Sequence, residues 1–256
     1  MKKEITALII SIPMIFAAIR VASSAPFDHS QFDLVLKLYV DEEGLVDYNG
    51  IAQDRRFSEY MKSLESANVE DLSRDGQLAF WINAYNAVTI DKVIKKKPKE
   101  SVRETIIPGV WTSKKFFRSR EHTVANGLLS QDDIEEILRM KFKDPRVHFA
   151  IICASSSCPK LPRIAYTERN VGARLEEETR EYLNSERGIR IDRTRNTLYL
   201  SRIFDWYEED FIQKSGSVAN FIRPYLKREV VSFLDRKPKM KFLGYNWALN
   251  AQKPLR

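Results

Sequence analysis

Both cysteines of the chain and one of its three histidines fall in a single short stretch, Val147-His148-Phe149-Ala150-Ile151-Ile152-Cys153-Ala154-Ser155-Ser156-Ser157-Cys158-Pro159. A thiol with an imidazole within reach is the smallest set for nucleophilic acyl transfer. Two thiols separated by four small residues are equally the set for a disulfide, which asks only that the Cα atoms approach within ~4.4–6.8 Å. His122, His148, Cys153 and Cys158 together carry zinc-binding atoms, but the cysteine spacing is loose for a structural site and no second pair follows, so no metal is expected. The apolar run 147–152 reads as a buried strand ending in a serine-rich turn. If that strand is extended, His148 and Cys153 stand ~16 Å apart, and a direct dyad requires a break at Ile151 or Ile152. Cys158 reaches the strand only by a tight reversal, whereas His122 can approach either thiol from a neighbouring hairpin. The serines 155–157 lack the glycines of a nucleophile elbow.

Two amides complete the candidate set. Asn83 and Asn86 lie three residues apart in an otherwise apolar segment, on one side of a buried helix. A buried amide without partners costs about 1–3 kcal/mol, so both must bond to something specific. They are read either as orienters of a catalytic imidazole and oxyanion donors, or as pins for a neighbouring loop. The acidic run 205–211 sets Trp206 and Asp210 one turn apart; Asp205 reads as a helix cap and Glu208 with Glu209 as facing water, with acid/base work by the cluster the lesser alternative.

These residues need elements to hold them. The segment 77–94 is the strongest helix, stopped by Lys95-Lys96-Lys97 and Pro98. Ser130 and Asp133 have capping-box spacing ahead of Ile134, Ile137 and Leu138. Further helices are expected over 32–40, 168–183, 205–213 and 218–226. Phe116-Phe117 and His122-Thr123-Val124 suggest one hairpin; 189–191 and 197–200, around the turn 192–196, make a second. A short strand over 45–48 and an edge strand over 241–243 are also expected. The order is mixed, so the predicted fold is α+β: one domain, helices packed on a small mixed or antiparallel sheet.

The chain has 256 residues and a formal charge of +7. Lys2 and Lys3, the apolar run 5–18 and the small residues Ala22-Ser23-Ser24-Ala25 read as a signal peptide over 1–24, cut after Ser24. The apolar run falls short of the roughly 20 residues needed to span a bilayer. Removal of Lys2, Lys3, Glu4 and Arg20 leaves +5 on the globular part, 25–256. A periplasmic or secreted protein is expected, in a compartment where cysteines persist as disulfides. No nucleic-acid motif accompanies the basic residues, which read first as a solvated face; an anionic envelope surface or an envelope peptide is the alternative partner, and no cofactor is expected.

Residues 78–87 (LAFWINAYNA), 130–142 (SQDDIEEILRMKF) and 145–161 (PRVHFAIICASSSCPKL), with 200–211 (LSRIFDWYEEDF) and 243–250 (LGYNWALN), resemble the domain-of-unknown-function 547 family, DUF547, over about 30–250 with a core about 70–190. Ile152 departs from the polar residue often found there in the family. The resemblance implies an exported envelope protein and no defined activity. A papain- or transglutaminase-like thiol enzyme is an inference from the cysteines and histidines. Three readings stay open: a non-catalytic envelope binding domain stapled by Cys153–Cys158, which is preferred; a thiol hydrolase or acyltransferase on peptide or amide substrates; and a redox-active dithiol. In the second, Cys153 or Cys158 is the nucleophile, His148 or His122 the base, and Asn83 or Asn86 the orienter.

Overall fold

A computed structural model describes residues 25–103 and 113–255; the expected signal peptide, 1–24, lies outside them. The elements run α1 (Ser30–Tyr39), α2 (Tyr48–Gln53), α3 (Arg55–Glu65), α4 (Arg74–Lys96), α5 (Ser113–Arg118), β1 (His122–Val124), β2 (Gly127–Leu129) and α6 (Gln131–Ile137). They continue with α7 (Val171–Leu183), β3 (Ile189–Asp192), β4 (Thr197–Leu200), α8 (Ile203–Trp206), α9 (Glu208–Ser215), α10 (Val218–Ile222), α11 (Arg228–Leu234) and β5 (Lys239–Phe242). The architecture is α+β, with two small sheets set among helices.

Helix α4 is the axis. Ser73 caps it by accepting from the Gly76 N–H, and Lys97 ends it in a left-handed conformation. From Gly76 to Ile90 every residue is buried, because α2, α3, α6 and α7 pack around it. A helix apolar on all sides can only sit inside such a wrap. The expected capping box at α6 is present: Ser130 accepts from the Asp133 N–H, and the Asp133 carboxylate accepts from the Ser130 N–H.

The larger apolar cluster surrounds α4. A second joins Phe149 to Leu198, Leu200, Phe204, Phe211 and Phe221 beneath the three-stranded sheet. In that sheet β3 and β4 form the expected antiparallel hairpin, and β5 adds to β4 in parallel. The mixed pairing matches the predicted small mixed sheet.

Several expected elements differ. The helix over 205–213 is broken at Tyr207 into α8 and α9, and Asp205 lies inside α8 and does not cap it. Residues 147–152 are not a strand; Pro145–Phe149 form a 3-10 helix that runs into a turn. Pro145 presets the first turn, and Asp144 caps it by accepting from the Arg146 N–H. An apolar run of six is read as a strand by pattern, but it is equally a coiled segment buried on all sides. The hairpin at His122 pairs with Gly127–Leu129 across Ala125 and Asn126, both at positive φ, while Phe116 and Phe117 lie on α5. Val46 forms isolated bridges to Val40 and Ala251 in place of a strand over 45–48.

Candidate functional site

The 3-10 helix and its turn put His148 and Cys153 on the wall of one cavity of about 300 Å³, together with Cys158, Glu135, Tyr207 and Tyr245. The chain between His148 and Cys153 is therefore not extended: it leaves the 3-10 helix at Phe149 and turns through Ala150 and Ile151. Asn86 holds it. Its side-chain amide donates to the Ala150 carbonyl at 2.9 Å, and its oxygen accepts from the Ile152 N–H at 2.9 Å. Asn83 makes the same two-way bond to the Tyr166 backbone, at 2.7 and 3.0 Å. Both amides are thus loop pins; neither orients the imidazole by a side-chain bond. Asn86 still bears on the site, because the loop it pins carries His148 at one end and Cys153 at the other.

The thiols are unbonded, with sulfurs 2.8 Å apart, and the Cys158 thiol donates to Cys153 Sγ. The Cys153 N–H donates in turn to Cys158 Sγ at 2.8 Å. The separation exceeds the ~2.05 Å of a disulfide, so the expected staple is not present as a bond. Around Cys153 Sγ stand the Ser155 hydroxyl at 3.0 Å and the Tyr245 hydroxyl at 3.1 Å. Burial disfavours the Cys153 thiolate, but the bonds from Cys158, Ser155 and Tyr245 outweigh it and bring the thiol below its ordinary range. Burial raises Cys158, and the neighbouring Cys153 raises it further. Ala154, between the sulfur and the serines, takes φ +57°, a left-handed conformation uncommon for a residue with a side chain.

Residues 245–250 strap this loop. Ser156 N–H donates to the Ala248 carbonyl at 2.7 Å, and Asn250 N–H to the Ala154 carbonyl at 3.2 Å. The strap also delivers Tyr245 and Trp247, whose rings cluster with Trp206 at centroid distances of 4.6–5.7 Å.

On another wall, His148 Nε2 is 2.7 Å from Asp210 Oδ2, and Arg139 grips both Asp210 oxygens at 2.7 and 3.0 Å. The imidazole stacks on Tyr207 with centroids 4.0 Å apart. Burial lowers the His148 pKa against the opposing pull of Asp210. Burial works against the Asp210 carboxylate, but His148 and Arg139 hold it well below the usual range. Nε2 is engaged by Asp210, which leaves Nδ1 as the ring nitrogen outside that bond. Tyr207 bonds to Glu135, whose carboxyl burial pushes up to about 7.

His122 does not join the site. Its Nε2 lies 2.6 Å from Asp91 on α4, and it is absent from the cavity wall. Among the described residues no group of three or more His, Cys, Asp or Glu side chains is placed to hold a metal, so the four zinc-donor candidates do not converge.

Several site residues went unassigned by the sequence. Asp210 stood in the acidic run, placed only as one turn from Trp206, and the His148 contact reveals its role. Glu135 follows the capping box by two residues with no local mark. Tyr245 is 92 residues from Cys153, and no local pattern links them.

A family model described as "Protein of unknown function, DUF547" matches residues 69–183. The match includes Asn83, Asn86, Glu135, His148, Cys153 and Cys158, while Tyr207, Asp210, Tyr245 and Trp247 lie beyond it. No curated protein and no solved structure matches the chain. The segment that carries both thiols and the cavity histidine is thus the family's own, and the chain is a DUF547 domain-containing protein.

Proposed function

We propose that the protein is a thiol-dependent hydrolase or acyltransferase acting on peptide or amide substrates, with Cys153 as nucleophile and His148 as base. One observation carries this: a thiol whose thiolate is stabilised by hydrogen bonds shares a cavity with an imidazole fixed by a carboxylate. The Cys153 thiolate attacks the acyl carbon, and His148 Nδ1 receives the thiol proton and returns it to the departing amine. Water or a second amine then releases the acyl group from Cys153. Asp210 keeps the ring in the tautomer that leaves Nδ1 free to accept, as a carboxylate does for a catalytic histidine generally.

The reading includes export to the cell envelope by the segment 1–24, where peptides and anionic surfaces are the available partners. The chain's positive charge suits such a surface. Arg190 pairs with Tyr199, and Tyr199 with Lys241, so this row and Lys239 share one face of the three-stranded sheet. Among the described residues no helix is long and apolar enough to cross a membrane.

A binding domain stapled by Cys153–Cys158 is the second reading, favoured by the closeness of the two sulfurs. The experiment is acylation of the reduced protein by a peptide thioester, followed by intact-mass and peptide analysis. An acyl adduct on Cys153 is expected, abolished by Cys153→Ser and slowed about 100-fold by His148→Gln. Absence of any adduct on the reduced wild type would remove the acyl-transfer reading and leave the stapled domain.

A further inference from the structure

The two thiols differ in ways that acyl transfer does not require. Both line the cavity, but Cys153 is half-buried while Cys158 is only 4% exposed. The Cys158 thiol donates to Cys153 Sγ, so its proton already lies on the line between the sulfurs. A turn closed by Cys158 N–H donating to the Ser155 carbonyl at 3.0 Å brings the second cysteine back onto the first. Forming the ~2.05 Å bond of a disulfide takes less than one ångström of sulfur movement from 2.8 Å.

We infer that Cys153 and Cys158 form a thiol–disulfide exchange couple whose substrate is a small organic disulfide, with Cys153 the attacking and Cys158 the resolving thiol. The Cys153 thiolate attacks one sulfur of the disulfide RSSR. A Cys153–SR bond forms, the S–S bond of RSSR breaks, and RS⁻ leaves, taking up the proton that Cys153 released. Cys158 then attacks Cys153 Sγ, its proton passes to the second departing RS⁻, and the Cys153–Cys158 bond forms. The protein loses two electrons and two protons, and RSSR becomes two RSH.

The roles follow from the surroundings. The attacking sulfur must be reachable and partly ionised at ambient pH, which the bonds from Ser155 and Tyr245 provide at Cys153. A resolving thiol need only meet the mixed disulfide from within, so burial suits Cys158. One consequence rests on the acyl-transfer reading: a bonded Cys153 cannot attack an acyl carbon, so oxidation switches that activity off and reduction restores it.

The test uses the full chain, reduced with dithiothreitol, freed of it, and exposed to glutathione disulfide at pH 7, with acid quenching and peptide mass analysis. The wild type is expected to give a Cys153–Cys158 bond with no retained glutathione. Cys158→Ser is expected to stop at one glutathione on Cys153, and Cys153→Ser to react at least about tenfold more slowly than wild type. Stable glutathione on the wild type, or equal rates for Cys153→Ser and wild type, would overturn the couple. None of these readouts needs acyl transfer. A protein that exchanges disulfides but is not acylated by the thioester keeps this couple and loses the hydrolase; Cys158→Ser that is acylated while wild type keeps glutathione does the reverse.

Discussion

Replacing Asn86 with alanine tests whether the loop between His148 and Cys153 is held from below. The side chain satisfies two buried backbone groups, the Ala150 carbonyl and the Ile152 N–H, each at 2.9 Å. Both lie in a segment with no water-facing alternative, since Ala150 and Ile152 are 1% and 0% exposed. Each group left unpaired costs about 1–3 kcal/mol, so the substitution should remove about 2–6 kcal/mol, a large share of the ~5–15 kcal/mol of a typical domain. Asn83→Ala breaks the equivalent pair on Tyr166 and should cost a similar amount. The two differ at the thiol. Freeing Ala150–Ile152 loosens Cys153 from Ser155 and Tyr245, so the pH midpoint of its alkylation should rise in Asn86→Ala and stay put in Asn83→Ala. Urea unfolding supplies the stability, and iodoacetamide trapping across pH supplies the midpoint. A loss below about 1 kcal/mol for Asn86→Ala would contradict the accounting of buried groups. An equal midpoint shift in both variants would show that the loop pin has no particular hold on Cys153.

Asp210→Asn removes the carboxylate that raises His148, so the already lowered imidazole pKa should fall further; an unchanged histidine titration by NMR would contradict the pairing. Glu135 has its folded pKa raised to about 7, so its contribution to stability is present below an unfolded value near 4.5 and is lost as pH rises through about 7. Glu135→Gln should therefore flatten the fall in stability between those values, and parallel curves for variant and wild type would refute this. On the sheet, Lys239→Gln with Lys241→Gln should weaken binding to vesicles of equal phosphatidylglycerol and phosphatidylcholine about 30-fold. Equal binding of wild type to phosphatidylcholine alone would dismiss the electrostatic reading of that face.

Local chemistry was readable in the sequence where neighbours decide it. The capping box at Ser130–Asp133, the helix around Asn83 and Asn86, and the hairpin 189–200 are all set by residues within a few positions of one another. The pattern of 147–152 misled because an apolar run records burial, not conformation; Pro145 and the Asp144 cap turned it into a 3-10 helix. That error made the His148–Cys153 separation look prohibitive. Asp210 was hidden for another reason. A carboxylate in an acidic helical run looks solvated until Arg139 and His148 arrive from 71 and 62 residues away.

The same distances bear on when the site comes into being. Tyr245 reaches Cys153 across 92 residues, and Asn250 of the strap also accepts from the Tyr48 hydroxyl across 202. Contacts so far apart along the chain close late, after the local helices have formed. Until they close, Cys153 lacks the Tyr245 hydroxyl, and its thiol stays nearer an ordinary, sluggish one. Reactivity thus arrives as a certificate of completed folding: a half-formed molecule carries the cysteine but not its bite, which spares neighbouring chains from it during assembly.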